Sequence, residues 1–99
     1  KKSFTTKVEA LTTYIRIVSL IVGDNISPTD SYYLALFLCL PEKYRAFPFS
    51  TQARKYVRNY LQVTEGALNN RIYTLLDNRY LYRDSDNMIY LFSYFTDIN

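Results

Sequence analysis

The chain has 99 residues, of which 48% are apolar and 17% aromatic, with eleven tyrosines, six phenylalanines and no tryptophan. This length corresponds to a single domain covering residues 1–99, and this apolar fraction is typical of a globular chain and excludes general disorder. The net charge of +3 is compatible with a polyanionic partner without requiring one. The apolar runs Ile17–Val22 and Tyr32–Leu40 are too short or too interrupted to span a bilayer, and we expect no membrane association.

The composition also argues against catalysis and metal binding. There is no histidine, the only glycines are Gly23 and Gly66, and no pair of carboxylates is placed for acid–base chemistry. We therefore expect no enzyme activity, no metal site and no cofactor. The single cysteine, Cys39, lies in an apolar run, which predicts a buried thiol in a reducing compartment, the cytoplasm (or a host cytoplasm or virion, if the protein is viral).

The first periodic segment covers residues 7–22. Its apolar side chains recur every three or four residues, which predicts an amphipathic helix. The predicted core face consists of Val8, Leu11, Ile15, Val18 and Val22, and the predicted polar stripe of Glu9, Thr12, Thr13, Arg16 and Ser19. Thr6-Lys7-Val8-Glu9 fits a capping box, and Gly23 stands where a helix-terminating glycine is common. A strand over residues 14–18 is the competing interpretation, since β-branched residues favour strands.

The next segment opens with Ser27-Pro28-Thr29-Asp30. It combines a capping serine, a proline at the first helical position and an acid near the positive end of the helix dipole. The helix is expected to run to about Leu40, where Pro41 ends it, and to be the buried central helix because its apolar residues lie on nearly all sides. Phe47-Pro48-Phe49 is compatible with a short edge strand, the position in which sheets tolerate proline.

Residues 49–76 predict two helices joined by a very short turn. Ser50 and Thr64 are placed to cap helices over about 51–61 and 65–78, since their hydroxyls can accept hydrogen bonds from the first free backbone N–H groups. Val63 and Leu68 have the spacing of a hydrophobic staple around Thr64. Helices so closely joined must cross at a steep angle, which is the helix-turn-helix arrangement.

The last segment predicts a β-hairpin. Tyr80–Arg83 and Met88–Phe92 are strand-like, and Asp84–Asn87 between them is rich in turn-forming residues. Residues 93–99 are expected to form a frayed tail. The predicted fold class is therefore mainly α with a small β-hairpin, in the order helix, helix, short strand, helix, helix, hairpin.

This order resembles the winged-helix branch of helix-turn-helix domains over residues 27–92. The resemblance is carried by Leu61-Gln62-Val63-Thr64, by Leu68, Ile72 and Leu75, and by Arg79-Tyr80-Leu81-Tyr82-Arg83. The family includes bacterial, plasmid and phage transcription regulators and replication initiators. The resemblance implies that helix 65–78 is a recognition helix, that hairpin 80–92 is the wing and that double-stranded DNA is the partner. Gln62 departs from the family pattern, which has a turn glycine, and Asp84 and Asp86 place at the wing tip a negative charge that repels phosphate.

The distribution of charge defines the candidate nucleic-acid site. Residues 42–83 contain eight basic and three acidic residues, a net charge of +5. Basic side chains bind DNA phosphates, asparagine pairs with adenine and threonine contacts the thymine methyl. The candidate residues are Lys43, Arg45, Arg54, Lys55 and Arg58 for phosphates, and Asn69, Asn70, Tyr73 and Thr74 for the groove. Arg71 is instead expected to be structural, with its charged head paired with Asp77 or Glu65.

Two other interpretations stay open. The helix pair is either a solvated surface without a partner or a protein-interaction module within a larger assembly, such as a virion or a replication complex. Interfaces are rich in tyrosine and arginine, and this chain has tyrosines at 32, 33, 56, 60, 73, 80, 82, 90 and 94. Helix 7–22 has an apolar face wide enough for a homodimer, although it serves equally well to cover the domain's own core.

Overall fold

The computed structural model describes residues 3–83, 85 and 89–91, and these residues form five helices and a two-stranded antiparallel sheet. The helices are α1 (Phe4–Ile21), α2 (Pro28–Leu38), α3 (Glu42–Arg45), α4 (Thr51–Leu61) and α5 (Glu65–Asp77), and the strands are β1 (Leu81–Arg83) and β2 (Ile89–Leu91). The fold is mainly helical, as predicted. No helix in the described part of the chain is both long and apolar enough to cross a membrane.

Helix α2 is the centre of the packing. It lies between α1 and α5, and α5 in turn packs against α4 and β1. The core contains side chains from α1, α2, α4, α5 and β1, and its largest fully buried members are Phe37, Ile15, Leu34, Leu36, Leu40, Leu68, Leu75 and Leu81. The prediction of a buried central helix is therefore confirmed.

Helix α1 confirms the helical interpretation of the first segment and excludes the strand. It begins three residues earlier than predicted, because the Ser3 hydroxyl, and not that of Thr6, accepts the capping hydrogen bond: the Thr6 N–H donates to Ser3 Oγ at 3.1 Å. The helix ends as predicted, since Gly23 follows the C-cap residue Val22 with a φ of 81°. Glycine reaches this left-handed region without steric cost.

Two side chains of α1 lie on the opposite side from the predicted one. Ser19 was assigned to the exposed polar stripe, but it is fully buried, and its Oγ accepts a hydrogen bond of 2.7 Å from the Ile26 N–H. Its backbone carbonyl accepts another from the Asp24 N–H at 2.8 Å. Val22, assigned to the core face, is 53% exposed. Ser19 is buried because it forms hydrogen bonds with the connector between α1 and α2. The periodicity of apolar residues along a helix does not predict such contacts.

The segment between α2 and α4 differs from the prediction. Helix α2 ends at Leu38, and Pro41 stands at the N-cap of the unpredicted helix α3. The edge strand expected at Phe47-Pro48-Phe49 is absent, and these residues form turns. Phe49 is buried against Phe37, with ring centroids 4.4 Å apart. Packing of the Phe49 ring thus takes the place of strand pairing.

The predicted hairpin is confirmed for its two strands. Leu81 pairs with Leu91, Tyr82 with Tyr90 and Arg83 with Ile89. The predicted acidic turn residues Asp84 and Asp86, and the predicted tail over residues 93–99, lie outside the described residues.

The tyrosines mostly line the edge of the core. Tyr32, Tyr33, Tyr44, Tyr56 and Tyr60 are partly buried against it, and Tyr80 is buried. Two of them, Tyr56 and Tyr60, connect the start of α1 to α4. Phe4 makes edge-on ring contacts with both tyrosines, and the Tyr60 hydroxyl lies 2.8 Å from Thr5 Oγ1. Tyr14, Tyr73 and Tyr82 are the exposed ones among the tyrosines with described side chains.

Candidate nucleic-acid interface

Helices α4 and α5 form the predicted pair, and each has its predicted cap. The Ala53 N–H donates to Ser50 Oγ at 3.2 Å, and the Ala67 N–H donates to Thr64 Oγ1 at 3.1 Å. The bend between them is made by Gln62, whose φ of 57° and ψ of 47° place it in the left-handed helical region. This is the conformation that glycine adopts most easily, so Gln62 closes α4 at a cost in backbone strain.

One face of α5 anchors the helix in the core and the other is open. Leu68, Ile72 and Leu75 are buried. The exposed residues on α5 are Glu65, Gly66, Ala67, Asn70, Tyr73 and Asp77. This open face contains no cation, and an acid stands at each end of it.

Arg71, the only cation in α5, is turned towards the protein interior. Its Nη1 lies 3.2 Å from Asp30 Oδ1, and its guanidinium lies 5.6 Å from the centre of the Tyr33 ring. The second carboxylate oxygen of Asp30 accepts a hydrogen bond of 3.3 Å from Asn78 Nδ2. The structural role predicted for Arg71 is thus observed, but its partner is Asp30 on α2 and not Asp77 or Glu65. Asp30 joins the first turn of α2 to both the middle and the end of α5.

Arg54 and Asn69 are brought together by the helix crossing. Arg54 Nη1 donates a hydrogen bond of 3.3 Å to Asn69 Oδ1, and both side chains are half-buried. The amide oxygen of Asn69 is therefore occupied by its neighbour. Bidentate recognition of adenine needs an amide oxygen that accepts and an amide NH₂ that donates, so among the two predicted asparagines Asn70, which is exposed, is the better placed.

The remaining predicted cations lie on α3 and α4. Lys43, Arg45 and Lys55 are exposed, and Arg58 is half-buried. Arg45 Nε donates to the Leu40 carbonyl at 2.9 Å, and Lys43 Nζ lies 5.2 Å from the centre of the Tyr44 ring. Within residues 3–83, none of these side chains lies within ion-pair distance of a carboxylate. Their positive charge is therefore available to an external anion.

Arg58 differs from the other cations because its Nε atom is buried. That atom has no hydrogen-bond partner among the described residues. The backbone carbonyl of the same residue accepts from the Val63 N–H at 3.2 Å, which places Arg58 beside the turn between α4 and α5.

The last two predicted groove residues differ in accessibility. Tyr73 is 57% exposed, whereas Thr74 is half-buried, and its hydroxyl donates to the Asn70 carbonyl one turn earlier in α5 at 3.0 Å. Tyr73 and Asn70 thus present the accessible polar groups of the α5 face, whereas the Thr74 hydroxyl already donates its hydrogen bond within the helix.

The structure adds a cleft that the sequence analysis did not assign to the site. A cavity of about 350 Å³ lies between the end of α5 and β1, lined by Leu76, Arg79, Leu81, Tyr82 and Arg83. Arg79, in the left-handed region with a φ of 66°, turns the chain out of α5 into β1. The sequence feature that could have indicated this cleft is the clustering of Arg79, Tyr82 and Arg83 within five residues.

Comparison of the chain with protein-family models, with curated protein sequences and with solved structures finds no match. No residue of the candidate interface therefore takes its role from a relative, and the role of each is argued from its own geometry and charge.

Proposed function

We propose that this protein is a winged-helix DNA-binding protein, a transcription or replication regulator of bacterial, plasmid or phage type that acts in the cytoplasm of its cell or host. In this proposal α5 approaches a groove of double-stranded DNA, with Asn70 and Tyr73 towards the bases. Lys43, Arg45, Arg54, Lys55 and Arg58 bind phosphates, and Asn69 orients Arg54. The β1–β2 hairpin is the wing.

The observation that carries the proposal is the position of the unpaired positive charge. It lies on α3 and on α4, the helix that precedes the open face of α5, and no described carboxylate neutralises it. Phosphate contacts of this kind supply most of the non-specific affinity for DNA. The neutral face of α5 adds little charge of its own, so the proposal is one of strong backbone binding with modest base recognition.

The test is a fluorescence anisotropy titration of a labelled duplex at several salt concentrations. Each phosphate contact contributes about −0.9 to the slope of log K against log salt, so five cations predict a slope of roughly −4.5. Lys55→Ala or Arg58→Ala should weaken binding to all sequences and reduce the magnitude of the slope by about 1. Asn70→Ala should chiefly relax the preference among sequences.

Arg16→Ala is the matched control. Arg16 is an exposed cation on α1, outside the proposed interface. It changes the net charge by the same amount as Lys55→Ala and should leave the non-specific affinity of each copy nearly unchanged. The proposal fails if no duplex binds at low salt, or if Arg16→Ala weakens binding as much as Lys55→Ala does.

One observation favours a second candidate, a protein-interaction module without direct DNA contact. The open α5 face has an exposed tyrosine, Tyr73, at its centre, and the only cation of the helix, Arg71, pairs with Asp30 on the other side. Exposed tyrosines are frequent anchors of protein interfaces. In that case Tyr73→Ala should abolish co-purification of a partner in a manner insensitive to salt, while Lys55→Ala should have no effect.

A further inference from the structure

Helix α1 is apolar on two opposite sides. The inner side, with Val8, Ile15 and Val18, is buried in the domain. The outer side exposes 39% of Tyr14 and 52–78% of Ile17, Leu20 and Ile21, and the C-cap residue Val22, which follows Ile21, is 53% exposed. We call these five residues the outer α1 patch. It accounts for five of the eight large hydrophobic residues exposed in the described part of the chain.

The spacing of the outer side is that of a helix–helix seam. Ala10, Tyr14, Ile17 and Ile21 follow one another at intervals of four, three and four residues, the heptad spacing of the positions that meet a partner helix in a coiled coil. The inner side has the same kind of spacing and is covered by α2. Helix α1 thus has two apolar sides suited to packing against another helix, and only the inner one is covered within the domain.

The outer side also contains a matching recess. A groove of about 250 Å³ is lined by Thr13, Arg16, Ile17 and Leu20, which stand at positions i, i+3, i+4 and i+7. Four residues of one helix in this arrangement form the hole that receives a side chain of a facing helix. Ile21, an aliphatic side chain on the same helix, is 78% exposed and free to enter such a hole on another helix. The surface therefore carries both the hole and the side chain that fills such a hole.

We propose that the outer α1 patch binds a second copy of this chain, with α1 packed against the partner's α1 around a two-fold axis. A surface that contains both complementary features meets the requirement of such an interface, in which the same patch serves on both copies. The five patch residues carry no charge, and Arg16, which lines the groove, is the one cation among the patch and groove residues.

The area of the patch fits a small homodimer. Five half-exposed Ile, Leu, Val and Tyr side chains present on the order of 500 Å² of apolar surface. With the groove residues included, two copies together bury on the order of 1,200 Å², the lower limit for stable protein interfaces. The dimer forms through α1 alone and does not depend on DNA binding.

Sedimentation equilibrium over about 5–500 µM, without DNA, tests this. The wild-type protein should change from its monomer mass of 11.7 kDa to twice that mass as concentration rises. Ile21→Glu places a charge in the seam and should raise the dissociation constant at least tenfold. Leu20→Gln, which removes apolar surface without adding charge, should raise it several-fold. Far-UV circular dichroism of both variants should show unchanged helix content, since both side chains are exposed in the monomer.

Phe47→Glu is the matched control, because it introduces the same charge at a 61% exposed hydrophobic residue outside α1. It should leave the dissociation constant unchanged. A monomer mass at 500 µM overturns the proposal, including when the patch then proves to bind another protein. A dimer weakened as much by Phe47→Glu as by Ile21→Glu, or by neither, overturns it as well.

Discussion

Replacing Arg71 with methionine should destabilise the protein more than replacing Asp30 with asparagine, although both changes break the same ion pair. The reason is the unequal burial of the two partners. The Asp30 side chain is 7% exposed, whereas that of Arg71 is 35% exposed. A charge that loses its partner destabilises the folded protein more when it is buried, because water cannot replace the lost partner.

The expected loss in the free energy of unfolding depends on which charge is left unpaired after each substitution. Arg71→Met leaves a buried carboxylate, for which about 3–5 kcal/mol is usual when a buried pair is broken. The hydrogen bond from Asn78 and the position of Asp30 in the first turn of α2 offset part of this, so we expect about 2–3 kcal/mol. Asp30→Asn keeps an oxygen acceptor at the site and leaves a guanidinium that water reaches, and it should cost about 1 kcal/mol.

Urea denaturation followed by circular dichroism measures both values from the shift in midpoint at constant m-value. The double variant should cost about 1–2 kcal/mol less than the sum of the single ones, because removing both charges leaves neither unpaired. Lys55→Met is the control for replacing a cation by methionine on an exposed helix surface, and it should change stability by less than about 0.5 kcal/mol. A cost for Asp30→Asn that equals or exceeds that of Arg71→Met, or strictly additive costs, would refute the reasoning.

Three further outcomes are expected. Gln62→Gly should raise the free energy of unfolding by about 0.5–1 kcal/mol, because glycine relieves the left-handed conformation at the turn; a lower urea midpoint would contradict this. Thr64→Ala should lower the free energy of unfolding by about 1 kcal/mol through loss of the α5 cap, and Thr64→Ser should restore most of it. Burial raises the pKa of the Cys39 thiol, so its reaction with a thiol reagent at pH 8 should be slower in the folded protein than in urea. Because the folded pKa is the higher one, the contribution of Cys39 to stability should be constant below about pH 8 and fall as pH rises through the unfolded value near 8.5, and a rise of this contribution there would contradict the assignment.

Local signals in the sequence were sufficient for most of the helices. Ser27 with Pro28, Ser50 and Thr64 each mark a helix start that the structure reproduces to the residue. Gly23 marks the end of α1 in the same way. These predictions hold because a cap hydroxyl and the N–H groups that it serves lie within three residues of each other, so tertiary packing has little opportunity to change the outcome.

Apart from the start of α1, which Ser3 caps and not Thr6, the predictions that failed depend on contacts that reach beyond one helical turn. Ser19 is buried because it binds the connector at Ile26, and Phe49 lies in a turn because its ring packs on Phe37. The partner of Arg71 is 41 residues away, on α2. Neither helical periodicity nor local charge spacing carries this information. The candidate interface shows the same division: the positions of Lys55 and Asn70 follow from the helix pattern, whereas the Arg54–Asn69 contact depends on how α4 and α5 cross.

If the protein binds DNA as proposed, the Arg54–Asn69 contact limits how specifically a single copy can recognise a sequence. With the Asn69 oxygen accepting from Arg54, Asn70 is the exposed amide left on α5 for bidentate pairing with adenine. One such pair is worth about 1–3 kcal/mol, roughly a fivefold to 150-fold preference. Regulators typically bind their sites about 10³–10⁷ times more tightly than other DNA.

If this protein is a regulator, the missing discrimination must come from DNA shape or from a second copy on an adjacent half-site. The proposed α1 dimer supplies such a copy, and two-fold symmetry would then double the number of reading amides. Loss of the dimer through Ile21→Glu should therefore reduce the preference for a specific site more than it reduces the non-specific affinity of each copy.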